Sequence, residues 1–213
     1  MATTAQPAPA YPAELTIDYP DRPLNRLTTF FRIFVVIPIA IILGLVAGGS
    51  LDLSSMTGWT WQYGAGGILF LPVLLMILFR KKYPKWWFDW NLALTRFSAR
   101  VGAYIALLTD VYPSTDEEQA VHIDIPYPDA PRDLSRGLPL VKWFLAIPHY
   151  IVLLFLSIAA FVCVVVAWFA ILFTGRYPAG LFDFVVGVYR WSLRVAAYAF
   201  LLTTDQYPPF SLT

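Results

Sequence analysis

Two kinds of pattern alternate along the chain. Residues 33–47 (IFVVIPIAIILGLVA) carry no charge, and residues 143–175 carry only His149 as a potentially charged group. A helix needs about 20 apolar residues to cross roughly 30 Å of hydrocarbon, so runs of this kind predict membrane spans. Each run is followed by a segment in which charged residues recur at helical spacing among Trp, Phe, Leu and Val, at 83–109 and 177–203. Before each run lies a short arm, AELTIDYP and VHIDIPYP, in which apolar and polar residues alternate as in a half-buried strand. The two arms are candidates to pair with one another.

The pattern recurs because the sequence does. Aligned at an offset of 94, residues 83–109 and 177–203 are identical at 13 of 27 positions. Tyr19-Pro20-Asp21 matches Tyr127-Pro128-Asp129 at an offset of 108, and Arg26 and Pro38 match Arg136 and Pro148 at 110. Self-similarity at a fixed period sets the unit of architecture. The expected fold class is an all-α integral membrane protein of two tandem repeats. Each repeat is read as a transmembrane helical hairpin followed by an amphipathic interfacial helix, with the extended arms on the cytoplasmic side.

The expected layout starts with a flexible tail over 1–16. Repeat one spans 17–113, with a hairpin at about 27–47 and 62–79 and an interfacial helix at about 85–109. An acidic linker covers 114–121. Repeat two spans 122–213, with a hairpin at about 138–156 and 158–174, turning near Ser157, and an interfacial helix at about 180–203. One tilted span kinked at Pro148 is the alternative for 138–174, because a straight helix of 37 residues would run about 55 Å.

Charge orients these elements. All 15 Lys and Arg lie outside 48–67, a polar, Gly-rich stretch whose one charge is Asp52. The Lys/Arg excess marks the cytoplasmic side, so 48–67 is expected outside and both termini on the cytoplasmic side of the membrane, in a multi-pass arrangement. The chain is 58% hydrophobic and 14% charged, with net charge +1, which offers nucleic acid no electrostatic footprint. Its single Cys163 excludes an internal disulfide and a cysteine-cluster metal site.

The amphipathic segments carry the most specific pattern. Asp89, Arg96 and Arg100 sit at i, i+7 and i+11 on one helical face, and Asp183, Arg190 and Arg194 repeat that spacing. These six predict inter-repeat or lipid-headgroup contacts. If the segments face each other across the small residues Ala93 and Gly187, Asp89 meets Arg190 or Arg194, and Asp183 meets Arg96 or Arg100. Arg80, Lys81, Lys82 and Lys85 beside Trp86 and Trp87 form an interfacial anchor suited to anionic lipid.

Candidate chemistry is sparse. His149, next to Pro148 in an apolar run, is a weak candidate for cofactor ligation, but Ile39 stands at the matching position of repeat one. No Ser-His-Asp grouping, Gly-rich phosphate loop or metal-spaced His/Glu cluster is legible, so no catalytic residue, metal or cofactor is assigned.

Residues FLAIPHYIVLLF (144–155) and FTGRYPAGLFDFVVGVYRWSLRVAAYAFLLTTDQYPPF (173–210) resemble the family called domain of unknown function 4389, and the first copy resembles it more loosely. That resemblance implies a bacterial membrane domain and carries no activity. The functional expectation is a non-enzymatic structural or accessory subunit, partnered by anionic membrane lipids and by other membrane-protein subunits or itself. A small oligomeric transporter, channel or lipid-handling protein is the alternative, and a cofactor-binding subunit through His149 the third.

Overall fold

The computed structural model describes residues 11–46, 65–115 and 117–213. Most of the expected 1–16 tail and of the outward 48–67 segment lies outside them. Among these residues the fold is mostly helical, with one two-stranded sheet. The elements in chain order are β1 (Glu14–Ile17), α1 (Arg26–Val46), α2 (Ala65–Arg80), α3 (Lys85–Ile105), β2 (Val121–Asp124), α4 (Ala130–Asp133), α5 (Leu138–Leu145), α6 (Ile147–Thr174) and α7 (Ala179–Ala199).

The two arms pair. β1 and β2 are antiparallel, with Leu15 opposite Ile123 and Glu14 opposite Asp124. Alternation does its usual work here: Leu15, Ile17, Val121 and Ile123 are buried, while their neighbours in the strands are exposed. The strands then pack crosswise in sequence. β1, which precedes α1, lies on α7, and β2, which follows α3, lies back on α3. On its other side α7 packs along α6, and α3 packs on α1. The amphipathic helices are thus a middle layer between the sheet and the apolar helices. This corrects the expectation of interfacial helices lying apolar side down on lipid: α6 and α1 supply that apolar cover within the chain.

The second-repeat hairpin is also corrected. α6 runs through Ser157 without a turn. After Pro148 its sequence holds neither Gly nor Pro, so nothing stops the helix for about 42 Å. The break falls instead at Ala146, between α5 and α6. Pro148 has no N–H to donate back into α5, and it sits in the first turn of α6, where that donor is not needed. Among the described residues α1 and α2 are not seen packed as a hairpin. α1 lies on α3 and α6, and α2 lies on α5.

Both amphipathic helices stop about four residues before their expected ends. Leu107 and Leu202 have φ of 64° and 55°, the left-handed region that reverses a helical chain. A leucine there costs about 1–2 kcal/mol. Both side chains are buried, which offsets that cost. At the end of α6 the same role falls to Gly175 (φ 75°), whose carbonyl accepts the Leu24 N–H at 2.8 Å.

A close approach fixes the C-terminus. At Gly187 in α7 a Cβ would lie 2.9 Å from both the Cβ and the carbonyl oxygen of Leu212. Gly187→Ala is expected to cost about 1–3 kcal/mol as an overpacked contact and to release the C-terminal segment. Faster carboxypeptidase trimming than in the unsubstituted protein measures this.

Candidate functional site

Each amphipathic helix ends in a turn that receives a buried cation from an upstream helix. In the first half, Arg32 of α1 is 3% exposed. Its Nη1 donates to the carbonyls of Tyr104 (2.8 Å) and Thr109, and the guanidinium stands 4.1 Å over the Tyr104 ring. In the second half, Lys142 of α5 is fully buried. Its Nζ donates to the Thr204 carbonyl at 2.6 Å and stands 5.0 Å over the Tyr198 ring. Lys142 matches Arg32 at an offset of 110, and Tyr198 matches Tyr104 at 94. The cations neutralise carbonyls left over where α3 and α7 stop.

The exit carboxylates sit in matching places but pair differently. Asp110 Oδ2 accepts the Asn25 N–H at 3.4 Å, and Asp205 Oδ2 accepts the Ser135 N–H at 2.6 Å. Asp205 also forms an ion pair with Lys142, 2.8 Å from Nζ to Oδ1. Asp110 instead pairs with the exposed Arg22 at 3.3 Å. Burial pulls the Lys142 ammonium below its ordinary value, and Asp205 pulls it back up.

The six predicted face residues part company. Arg96 Nε and Nη2 donate to the Ile123 carbonyl at 3.2 and 3.0 Å, and Arg190 Nε donates to the Leu15 carbonyl at 3.0 Å. Arg100 Nη1 donates to the Ser114 carbonyl at 2.9 Å; Arg194 Nη1 reaches the Ser211 carbonyl at 3.4 Å. Asp89 and Asp183 are exposed, and the expected aspartate–arginine pairs are not formed. The physical reason is the sheet. A two-stranded ribbon leaves carbonyls unpaired on both outer edges, and the arginines satisfy them first. Ala93 is exposed and Gly187 is covered by Leu212 rather than by a helix, which also corrects the close-approach expectation.

Of the anchor residues, Arg80, Lys81 and Lys82 line a groove of about 680 Å³ with Tyr127 and Pro131. Lys81 Nζ donates to the Pro131 carbonyl at 2.9 Å, Arg80, Lys82 and Lys85 are exposed, and Trp86 stacks edge-on against the half-buried Trp87. Burial pushes the Tyr83 hydroxyl there well above its ordinary value. Two equivalent bonds tie the halves of the chain together: Tyr127 donates to the Tyr83 carbonyl at this groove, and Tyr19 to the Tyr177 carbonyl at the matching place.

His149 is fully buried. Its Nδ1 accepts from Trp191 Nε1 at 3.0 Å, and its ring stacks on Phe210 at 4.0 Å. At the matching positions Ile39 packs on Phe97. The polar pair therefore occurs together or not at all. That joint substitution was present in the sequence as a signal, but only against knowledge that the two positions touch. Among the described residues no three His, Cys, Asp or Glu side chains gather as for a metal ion.

Residues 139–211 match the profile of the family described as Domain of unknown function (DUF4389). The chain carries a DUF4389 domain. It holds the side chains of Lys142, His149, Trp191, Arg190, Arg194 and Asp205, while the Leu15 carbonyl and Ser135 N–H that two of them meet lie outside it. No curated protein and no solved structure matches the chain.

Two substitutions separate these contacts. Asp205→Asn strands a buried ammonium and is expected to cost about 3–5 kcal/mol, whereas Asp110→Asn, which loses an exposed pair, costs about 0–1 kcal/mol. Thermal unfolding of both variants compares them. In the DUF4389 domain, His149→Ile or Trp191→Phe alone unpairs a buried group at about 1–3 kcal/mol each. The double variant reproduces Ile39/Phe97 and is expected to recover most of that loss in a double-mutant cycle.

Proposed function

We propose that the chain is an integral protein of a bacterial cytoplasmic membrane, built from two related halves, that acts without catalysis as a structural or accessory subunit of a larger membrane assembly. The observation that carries this reading is the outer surface of α6. Its most apolar stretch of 18 residues has a mean hydropathy of 3.0, yet only 11% of that stretch is buried within the chain. α1 repeats the combination at 2.3 and 17%. The core helix of a water-soluble domain buries such residues, while Phe155, Phe161, Phe169 and Phe173 here stand exposed. A surface of this size needs lipid or another protein on it.

The opposite side supports the orientation. The sheet exposes Glu14, Thr16, His122 and Asp124. Open sheet edges and charged side chains are excluded from hydrocarbon, so this side belongs in water or headgroups. Arg22 and Arg176 lie together near the start of α1 and the end of α6, which fits the cytoplasmic face. The Tyr11 hydroxyl donates to the Gln206 carbonyl at 3.1 Å, so the start of the described chain and the segment after α7 belong on the same face.

The experiment is fractionation. The protein is expected in the alkali-resistant membrane pellet, and Phe161→Asp is expected to shift it out, since a carboxylate in hydrocarbon costs about 2.5–3.5 kcal/mol. Recovery of the unsubstituted protein in the soluble fraction overturns the reading. In mild detergent, co-purification of another membrane protein at fixed stoichiometry supports the subunit role, and a strictly monomeric product counts against it.

A further inference from the structure

The buried guanidinium of Arg32 is only half used. Nη1 is bonded to carbonyls, but Nε and Nη2 are buried and have no hydrogen-bond partner, and neither has the Thr29 hydroxyl one turn earlier. Both residues line a groove of about 720 Å³ between α1 and α6, walled by Ile105, Phe161, Val165 and Phe169. That volume falls within the range of about 300–1000 Å³ common for small-ligand sites. The rim residues Phe161, Val165 and Phe169 are exposed on the apolar side of the molecule, so the groove opens there.

The matching position explains why the free edge is unusual. Lys142 has its exit carboxylate as an ion-pair partner, 2.8 Å away. Arg32 does not, because Asp110 is held by Arg22 and by the Asn25 N–H. Nε–H and an Nη2–H point from one edge of a guanidinium, the edge that takes two oxygens of a carboxylate or phosphate side by side. Leaving such donors buried and unpaired is costly, and an oxyanion removes the cost. The walls around that edge are apolar and suit hydrocarbon rather than a free ion.

We propose that this groove binds an anionic phospholipid, its phosphate on Arg32 and Thr29 and an acyl chain along α6. The proposal rests on the membrane reading above for access from the bilayer. Its chemistry is an oxyanion joined to an apolar tail, with no covalent step.

The test uses the full-length protein in mild detergent, with native mass spectrometry and thermal shift as readouts. The probes are phosphatidylglycerol, phosphatidylcholine, palmitate and inorganic phosphate. The unsubstituted protein is expected to retain phosphatidylglycerol about tenfold better than phosphatidylcholine, and Arg32→Gln to abolish that preference. Val165→Trp, at the rim and away from the guanidinium, is expected to lower phosphatidylglycerol retention with the fold intact. No anionic preference, or a preference unchanged in both variants, overturns the site. Palmitate bound more tightly than phosphatidylglycerol overturns the headgroup assignment, and equal protection by inorganic phosphate overturns the acyl-chain part. A protein that fractionates with membranes yet shows no preference fails this proposal alone. A protein recovered in the soluble fraction fails the membrane reading, and the palmitate arm then decides whether the groove takes an anionic amphiphile.

Discussion

The molecule turns on how a two-stranded ribbon is held. Two strands alone are marginal in water and leave carbonyls unpaired along both outer edges. Here Arg96 takes the Ile123 carbonyl and Arg190 takes the Leu15 carbonyl, and these two residues face one another in the ribbon. Each arginine reaches across from the helix beneath its strand. The ribbon therefore gains charged hydrogen bonds at its centre, and the helices gain a lid over their polar faces. The layer order of sheet, amphipathic helix and apolar helix follows from that single arrangement.

The exit turns show the same economy with more tension. Helix ends leave carbonyls without partners, and a buried cation over a tyrosine ring answers them in both halves. The cation must be desolvated to get there. In one half the neighbouring carboxylate compensates for it; in the other that carboxylate is diverted to Arg22. One half is electrostatically closed and the other open, although the residues involved match almost one for one.

Local features were legible in the sequence. Strand alternation marked both arms, long uncharged runs marked α1 and α6, and helical spacing put the four arginines on one face. What could not be read were choices among partners. The spacing placed Asp89 and Arg96 on a shared face but gave no means of knowing that strand carbonyls would claim the arginine. The break at Ala146 follows from Pro148, yet the copy with a polar insert between its apolar segments made a hairpin at Ser157 the preferred reading. Likewise Arg32 read as a topology marker, because only the fold puts its edge against a groove. Comparison with Ile39 marked His149 as a residue of one copy only, but its bond to Trp191 needed the helix packing.

The exchanged contacts bear on what counts as a unit. The matched segment 139–211 begins after β2 and contains neither strand. Arg190 within it lands on Leu15, and Tyr177 within it is gripped by Tyr19, both from the far end of the chain. The boundary that sequence similarity draws is thus not a boundary of cooperative folding. Cut out at those limits, the domain would be missing the backbone that its own arginine was placed to meet, and only a strand supplied by another molecule would complete it.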